Sequence, residues 1–266
     1  MSSNQHAVNL KSIWMIEIII LALIQGITEF LPISSSSHLI LISEYFSFEN
    51  QSLSIDISLH IGSFFAVLVY FRKDILSFAK NKVLFYKIII SSLPIITVGY
   101  IVIKFNLVDQ LRNIKVIGWT TLIFGILLFI SDKFKMNNNI KKNFTIKSAI
   151  YIGFFQILSI IPGVSRSGIT ITASRFLNFN RYDSAKISFL LSIPTLGAVA
   201  LFGFYNIINS DNINFSFINI VSIILSYIFS FLTIKYFLKF IEKFSFNIFI
   251  IYRIILGLLI LAFGYL

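Results

Sequence analysis

Long apolar stretches separated by short polar loops dominate the chain. A helix needs about 20 mainly apolar residues to cross a lipid bilayer, and six windows meet this length with help from their flanking residues. These windows are 53–71, 88–103, 116–130, 187–206, 216–234 and 247–265. The pattern therefore predicts an all-α membrane protein with about six transmembrane helices.

Two further apolar stretches, 13–45 and 149–180, are interrupted by prolines and polar residues. Lys and Arg are concentrated in the loops 72–87 and 131–147, which places these loops in the cytoplasm, whereas the loop 206–214 has neither residue type and faces out. When the six spans are threaded through these loops, each interrupted stretch must begin and end on one side of the membrane. We therefore expect each stretch to form a re-entrant helix pair.

The two interrupted stretches resemble each other. The first contains QGITEFLPISSSSHLI at 25–40, and the second contains FQILSIIPGVSRSGITIT at 155–172, about 130 residues later. In both, a glutamine is followed by a proline and then by serines, and three predicted spans come afterwards. Because three is odd, the second half must be inverted relative to the first. We predict a single membrane domain, 1–266, with inverted-topology repeats at approximately 13–130 and 149–265, an arrangement in which broken helices can line a polar cavity.

Composition agrees with a membrane protein. The chain has 57% hydrophobic and 12% charged residues and a mean hydropathy of +0.88, whereas about a quarter of the residues of a soluble domain are charged. The net charge of +11 comes from basic residues in short loops, so we expect no nucleic-acid partner. The absence of cysteine excludes disulfides and thiol chemistry. No cleavable signal peptide is expected, because the first apolar run is not followed by a small-residue cleavage site.

The first interrupted stretch contains a candidate site. Gln25 and Glu29 are four residues apart and share one face of a helix that Pro32 should end. The serines Ser34 to Ser37 then come at the start of a second helix, expected from His38 onward, where hydroxyls and free N–H groups attract anions. Helix capping alone is the simpler interpretation of the serines. An ionisable Glu29 inside a membrane is costly and indicates function.

The second interrupted stretch contains a buried cation. Arg166 stands between Ser165 and Ser167 in an apolar neighbourhood and needs an anionic partner. Its planar guanidinium suits phosphate oxygens, and the hydroxyls of Ser165, Ser167 and Thr170 can add donors. The alternative is a structural ion pair between Arg166 and Glu29, which is compatible with a phosphate site.

The remaining polar residues receive lesser roles. Asp56 and His60 are four residues apart and could face the same cavity in a supporting role, or could hydrogen-bond to each other. His38 could serve as an acid or a base near neutral pH, or could be a hydrogen-bonded packing residue. Arg253 is interpreted as structural, so that Arg253→Lys is expected to be mild, and Glu17 is expected to be solvated.

Two motifs make the chain resemble the undecaprenyl-diphosphatases of bacteria, also called bacitracin-resistance proteins. QGITEFLPISSSSHL at 25–39 is similar to the family's pattern (E or Q)-G-x-T-E-F-L-P-(I or V)-S-S-(S or T)-G-H, and PGVSRSGIT at 162–170 is similar to its pattern P-G-x-S-R-S-G-x-T. Three more segments extend the resemblance over essentially the whole chain, at 59–74, 188–197 and 246–257. Ser37 stands where the family usually has glycine, and it would be strained if a positive φ were required there.

The resemblance implies a multi-pass enzyme of the cell inner membrane, with its active site toward the periplasm. Such an enzyme hydrolyses undecaprenyl diphosphate to undecaprenyl phosphate, the lipid carrier for peptidoglycan synthesis, and confers bacitracin resistance. The implied catalytic residues are Glu29, Ser35, His38 and Arg166, and the implied substrate-binding residues are Gln25, Ser34, Ser165, Ser167 and Thr170. A divalent metal, Mg²⁺ or Ca²⁺, would be held by Glu29 and Gln25. The attacking group can be Ser35 or a metal-bound water, and the sequence leaves both open.

Other functions are compatible with parts of this pattern. Inverted repeats with a membrane-embedded Arg and Glu also suit a secondary transporter or flippase of an anionic lipid or small anion. A structural scaffold would leave the buried Arg166 without a purpose. Polyprenyl diphosphate and membrane lipids are the expected partners. The sequence leaves open the prenyl chain length, lipid flipping and the oligomeric state, a homodimer included.

Overall fold

The computed structural model describes residues 2–46, 52–78, 82–105, 113–209 and 216–265. Within these ranges the secondary structure is helical apart from an isolated β-bridge between Asn138 and Phe179. The α-helices are α1 (Ser2–Thr28), α2 (Ser35–Phe46), α3 (Leu53–Tyr70), α4 (Arg72–Phe78), α5 (Lys82–Lys104), α6 (Ile114–Asp132), α7 (Ile140–Asn143), α8 (Ile146–Ile157), α9 (Arg166–Phe176), α10 (Arg181–Asn209), α11 (Phe217–Ile241) and α12 (Asn247–Tyr265), with a short 3-10 helix at Leu158–Ile160.

Helices α3, α5, α6, α10, α11 and α12 are long and apolar enough to cross a membrane. They coincide with the six predicted windows, so the prediction of an all-α integral membrane protein is confirmed. Two of them begin about a turn and a half before their windows, α5 at Lys82 and α10 at Arg181. The extra turns carry charged side chains that extend a helix beyond the apolar layer, and hydropathy alone does not detect them.

Each interrupted stretch forms two helices with a break between them. Helix α1 ends at Thr28 and α2 begins at Ser35, so the break contains Pro32. Helix α8 ends at Ile157, and α9 begins at Arg166. Proline lacks a backbone N–H and clashes with the preceding turn, which accounts for both interruptions. Helix α2 begins three residues earlier than expected, and re-entry of each pair from one side of the membrane stays a prediction.

The helices contact one another in a limited set of pairs. Helix α11 packs against α1 and α3, and α5 packs against α8 and α10. Helix α3 also packs against α10, α6 packs against α12, and α9 packs against both α6 and α10. Glycines permit the closest approaches, because a Cβ added at Gly26 would lie 2.5 Å from Cβ of Phe229, and one added at Gly62 would lie 2.4 Å from the carbonyl oxygen of Ile223.

Polar side chains connect some of these helices inside the protein. The hydroxyl of Ser63 on α3 lies 2.9 Å from that of Ser230 on α11, and Ser226 donates to the carbonyl of Leu59 at 2.6 Å. Hydroxyls of this kind hold membrane helices together where apolar packing alone is not distinguished from lipid contact. A larger apolar core of buried phenylalanines and aliphatic residues surrounds α10.

A separate polar cluster lies at the C-terminal end of α6. Asp132 accepts from Nε and Nη2 of Arg181 at 2.7 and 2.9 Å, in a bidentate pair. Arg175 is fully buried beside it and donates to the carbonyl oxygen of Asp132 at 3.1 Å and to that of Phe134 at 2.5 Å. These bonds anchor the chain that follows α6 to helices α9 and α10.

Candidate active site

Glu29 is the centre of a buried polar cluster just beyond the end of α1. Its Oε2 atom accepts from Nε2 of Gln25 at 3.0 Å and from Oγ of Ser35 at 2.7 Å. Its Oε1 atom accepts from Nη2 of Arg166 at 3.0 Å. We call this group of side chains the Glu29 cluster. It consists of Glu29, Gln25, Ser35 and Arg166, together with His60, which contacts Gln25. The cluster brings together side chains from both interrupted stretches, and its pair of Glu29 and Arg166 is the one that the sequence offered as an alternative to, and compatible with, a phosphate site.

The amide of Gln25 links Glu29 to the third helix. Its Nε2 atom lies 2.9 Å from Nδ1 of His60, so its two hydrogens are both used, one for Glu29 and one for the histidine. His60 therefore accepts through Nδ1. Asp56 is half-buried one turn earlier on α3, and its supporting role stays a prediction. Among the described contacts, Oε1 of Gln25 is buried and has no hydrogen-bond partner, which leaves an oxygen acceptor free beside the carboxylate.

A serine with left-handed backbone immediately precedes the second helix of each pair. Ser34 has φ of 76° and Ser165 has φ of 68°. The hydroxyl of Ser165 accepts from the N–H of Gly168 at 3.1 Å, and that of Ser34 lies 3.0 Å from Oγ of Ser37. Non-glycine residues rarely adopt such φ values, and they do so mainly where the surrounding structure holds them at a functional site.

Ser37 does not have the strained conformation that a required positive φ would impose. It is fully buried within α2, where φ is negative, and the left-handed residue is Ser34, three positions earlier. The glycine at the corresponding point of the second stretch, Gly168, likewise lies inside helix α9. Glycine and serine at this position therefore differ in the volume of the side chain, and not in a backbone conformation that only glycine adopts easily.

The first residues of α2 and α9 meet at the cluster. Ser35 begins α2, Arg166 begins α9, and both contact Glu29. The first N–H groups of a helix have no partner within it, and the helix dipole adds partial positive charge at this end. Two such ends with a guanidinium between them form an environment suited to phosphate oxygens. The Arg166 side chain is only 12% exposed, so its charge acts in a poorly hydrated space.

His38 lies in the first turn of α2 but is engaged elsewhere. Its Nδ1 atom lies 2.6 Å from the carbonyl oxygen of Ser34, which can only accept, so Nδ1 carries a proton. Its Nε2 atom lies 2.6 Å from the hydroxyl of Tyr252 on α12, which can donate to it or accept from it. In this geometry Ser34 and Tyr252 engage both ring nitrogens of His38. The predicted acid or base role stays a prediction.

Ser167 and Thr170 connect structural elements. Ser167 donates from Oγ to the carbonyl of Leu31 at 2.7 Å and so connects the first turn of α9 to the first break. Thr170 donates from Oγ1 to Oγ of Ser188 at 2.7 Å, between α9 and α10. Their predicted contact with substrate stays a prediction. The expectation that Glu17 is solvated was wrong, because its side chain is buried.

Sequence reasoning missed the roles of Tyr252 and Arg253. Tyr252 contacts His38, and the fully buried Arg253 donates to carbonyl groups of both breaks. Local spacing cannot reveal these contacts, because Tyr252 is 214 residues away from His38 in the chain. A signal was present for Arg253, since a charged residue within a transmembrane window is by itself an indication of function.

Comparison with known proteins identifies relatives along nearly the whole chain. Residues 18–259 match the family model described as Bacitracin resistance protein BacA. An undecaprenyl-diphosphatase of Pelagibacter ubique (strain HTCC1062) is 49% identical over 246 residues, covering 92% of this chain and 96% of that protein. An undecaprenyl-diphosphatase of Saccharophagus degradans is 41% identical over 251 residues, covering 90% and 94%. One of Hahella chejuensis is 39% identical over 255 residues, covering 91% and 95%.

Proposed function

Because the chain belongs to the bacitracin resistance protein BacA family, we propose that the Glu29 cluster is where it hydrolyses undecaprenyl diphosphate to undecaprenyl phosphate and phosphate. The protein is a multi-pass membrane enzyme, an undecaprenyl-diphosphate phosphatase. The observation that carries the assignment to this site is the meeting of Ser35 and Arg166 on one buried carboxylate. A hydroxyl, a base and a phosphate-binding cation are thereby within reach of one reacting phosphorus.

Substrate binding uses the positive groups of the cluster. The diphosphate of the lipid enters between the first turns of α2 and α9, where helix N-termini and Arg166 neutralise its oxygens. Phosphoryl transfer depends mainly on positioning and on stabilising charge at the oxygens. The low exposure of Arg166 and Glu29, 12% and 6% for their side chains, strengthens these interactions because little water competes with them.

Ser35 is the attacking group that the geometry favours. Its hydroxyl already donates to Glu29 at 2.7 Å, so Glu29 can take the proton as the oxygen attacks the terminal phosphorus. The anhydride P–O bond breaks, undecaprenyl phosphate leaves as an anion, and a phosphoserine forms. Glu29 passes the Ser35 proton to this departing undecaprenyl phosphate, then takes a proton from the water that attacks the phosphoserine and gives it to Oγ of Ser35 as inorganic phosphate is released. Direct attack by a water molecule that Glu29 activates is the competing route.

A divalent cation fits beside this carboxylate. Mg²⁺ in phosphate sites is held by one or two carboxylates together with substrate oxygens and water, and Ca²⁺ also takes oxygen ligands. Glu29 and the unpartnered Oε1 of Gln25 provide such oxygens. The described residues contain no group of three His, Asp or Glu side chains that could hold a metal alone, so the substrate would complete the coordination. When bound, the cation would neutralise charge on the diphosphate.

We further propose that the site is reached from the periplasmic face of the inner membrane and that the chain consists of two inverted repeats. The contacts between helices support the repeats. If α1, α2, α3, α5 and α6 are exchanged for α8, α9, α10, α11 and α12, the pairs α1–α11 and α3–α11 become α8–α5 and α10–α5. The pairs α3–α10 and α6–α12 are unchanged by the exchange. Both sets of contacts are present, as a two-fold relationship requires. The homodimer stays a prediction.

Phosphate release from purified protein tests the proposed function. Wild-type protein in detergent with Mg²⁺ should release phosphate from undecaprenyl diphosphate, and Arg166→Ala should lower the rate at least about a hundredfold, because one charge-stabilising donor contributes about 10²–10³. Arg181→Ala is the matched control, since Arg181 also pairs with a buried carboxylate but at a different cluster. A wild-type protein that releases no phosphate, or that only moves the lipid across vesicle membranes, would contradict the hydrolase assignment in favour of a transporter.

A further inference from the structure

Arg253, in the last helix, reaches the breaks of both helix pairs. Its Nη1 atom donates to the carbonyl oxygens of Pro32 at 3.2 Å and Val164 at 3.1 Å. Its Nη2 atom donates to that of Gly163 at 2.8 Å, and its Nε atom donates to that of Thr121 on α6 at 3.2 Å. One guanidinium thus connects the first break, the second break and two transmembrane helices.

These carbonyl groups need a donor from outside their own segments. Pro32, Gly163 and Val164 lie between helices, and a buried carbonyl without a partner is costly, above all in a membrane. Guanidinium presents five N–H groups in a rigid plane, whereas an ammonium is a single point of donation. A lysine ammonium has three N–H groups and cannot make all four of the hydrogen bonds that Arg253 makes to these carbonyls.

Two glycines make room for this side chain. A Cβ added at Gly168 would lie 2.8 Å from Nη1 of Arg253, and one added at Gly125 would lie 3.0 Å from its Cβ. Gly168 is part of the PGVSRSGIT motif, and it is not among the residues with positive φ. Its lack of a side chain therefore provides the space that the guanidinium occupies.

Burying the charge of Arg253 costs more free energy than a purely structural side chain at this position would. Arg253 is fully buried, and among the described residues no carboxylate lies within ion-pair distance of it. Burying a charge without a counter-ion costs free energy, and apolar side chains of similar volume fill a core at least as well. The carbonyl groups that Arg253 binds come just before the starts of α2 and α9. Ser34 and Ser35 come shortly after Pro32, and Ser165 and Arg166 come directly after Val164.

We propose that Arg253 is a positioning residue for the hydrolysis, which holds the two breaks at the separation that lets Ser35 and Arg166 meet on Glu29. The inference rests on the proposed function and adds to it a residue that acts through the backbone of both repeats. It also changes the expectation for Arg253→Lys, which is no longer a mild substitution, since a lysine loses the bridge between the breaks.

The test compares two buried arginines. Arg253→Lys should lower kcat for phosphate release from undecaprenyl diphosphate about a hundredfold per folded molecule, with a smaller change in KM, because misplacement of reacting groups by about 1 Å costs about 10² in rate. Arg175→Lys is the control, since Arg175 is equally buried and also donates to backbone carbonyls, but at the far cluster. It should lower the melting temperature and leave kcat within about threefold of wild type.

Gly168→Ala is a second variant that leaves the arginine in place. Its added Cβ should displace Nη1 and lower kcat, whereas in the Arg253→Lys background it should cost less than about threefold, because there is no guanidinium left to displace. If Arg253→Lys does not fold, the kcat of folded Gly125→Ala decides the matter, because the three atoms nearest to its added Cβ all belong to Arg253, the closest at 3.0 Å, whereas a Cβ at Gly168 would also lie 3.1 Å from Ser165. A fall in kcat supports the inference, and a value equal to wild type overturns it.

The outcomes separate the inference from the proposed function. An active wild type with folded Arg253→Lys at unchanged kcat would overturn the positioning role and leave the hydrolase assignment intact. Equal losses of kcat in Arg253→Lys and Arg175→Lys would also overturn it, since any buried arginine would then have the same effect. A wild type that releases no phosphate would instead remove the function on which the inference rests.

Discussion

Glu29 accepts hydrogen bonds from residues in three different positions of the chain, Gln25, Ser35 and Arg166. Two of these contacts could be predicted from the sequence. Gln25 is one helical turn away, and Arg166 needs an anionic partner inside an apolar region. The choice of Ser35 among four consecutive serines came from the family resemblance, because local spacing does not show which of these hydroxyls contacts Glu29.

The hydroxyl of Ser35 should be essential for turnover. Ser35→Ala removes the attacking oxygen and is expected to lower kcat at least about a thousandfold, since it removes the residue that forms the covalent intermediate. Ser36→Ala is the control: Ser36 is the exposed neighbour in the same helical turn, and it should keep kcat near the wild-type value. Steady-state phosphate release measures both variants. A Ser35→Ala enzyme with kcat within tenfold of wild type would favour direct attack by water.

Tyr252→Phe should affect His38 without disturbing the fold. The substitution removes the hydroxyl that lies 2.6 Å from Nε2 of His38 and keeps the ring, which stacks on the imidazole at 5.7 Å between centroids. A hydrogen bond of this type contributes about 1 kcal/mol, so we expect kcat to fall about fivefold. Tyr265→Phe, on the same helix, is the control. Unchanged kcat in Tyr252→Phe would show that the histidine contact has no part in turnover.

At the scale of elements, hydropathy located the transmembrane helices but not how they contact each other. The apolar windows and the helices agree because bilayer thickness sets a minimum apolar length. Partner choice depends instead on small residues and buried hydroxyls, such as Gly26, Gly62 and Ser63, whose positions on the helix surface become meaningful only when the opposite helix is known.

Gly62→Ala should destabilise the contact between α3 and α11. The added Cβ would lie 2.4 Å from the backbone oxygen of Ile223, which cannot move aside without shifting the helix. Overpacking of this kind costs about 1–3 kcal/mol, so the melting temperature in detergent should fall clearly. Gly99→Ala in α5 is the matched control, because a Cβ there meets nothing within 4 Å. Equal melting temperatures for the two variants would contradict the close approach of these helices.

At the scale of the whole molecule, the breaks of the two helix pairs lie close together. Three predicted spans follow each interrupted stretch. Because three is odd, this count and the positions of the basic loops predicted from the sequence alone that the second half is inverted relative to the first. The joining of the breaks through Arg253 could not be predicted, because its partners are backbone carbonyls, which sequence patterns do not distinguish. One guanidinium thereby links residues whose separation in the chain exceeds 200 positions.

Cysteine labelling can test the inversion, because the natural chain has no cysteine. Leu53 begins α3, and Lys141 adjoins the start of α10, where the N–H of Ile140 donates to Asp183. Since α3 and α10 are counterparts in the proposed inverted repeats, their first residues should lie on opposite sides of the membrane. A membrane-impermeant maleimide should label Leu53→Cys from the periplasmic side and Lys141→Cys only after permeabilisation. Labelling of both from one side would contradict the inverted topology.

The most direct test of the Glu29 cluster compares two buried carboxylates that pair with arginine, Glu29 and Asp132. Phosphate release from undecaprenyl diphosphate is measured per folded molecule for wild type, Glu29→Gln and Asp132→Asn. We predict that Glu29→Gln lowers kcat at least about a thousandfold, because it removes the base and the counter-charge of Arg166, while Asp132→Asn loses thermal stability and keeps kcat. Wild-type turnover in folded Glu29→Gln would contradict the assignment of the active site.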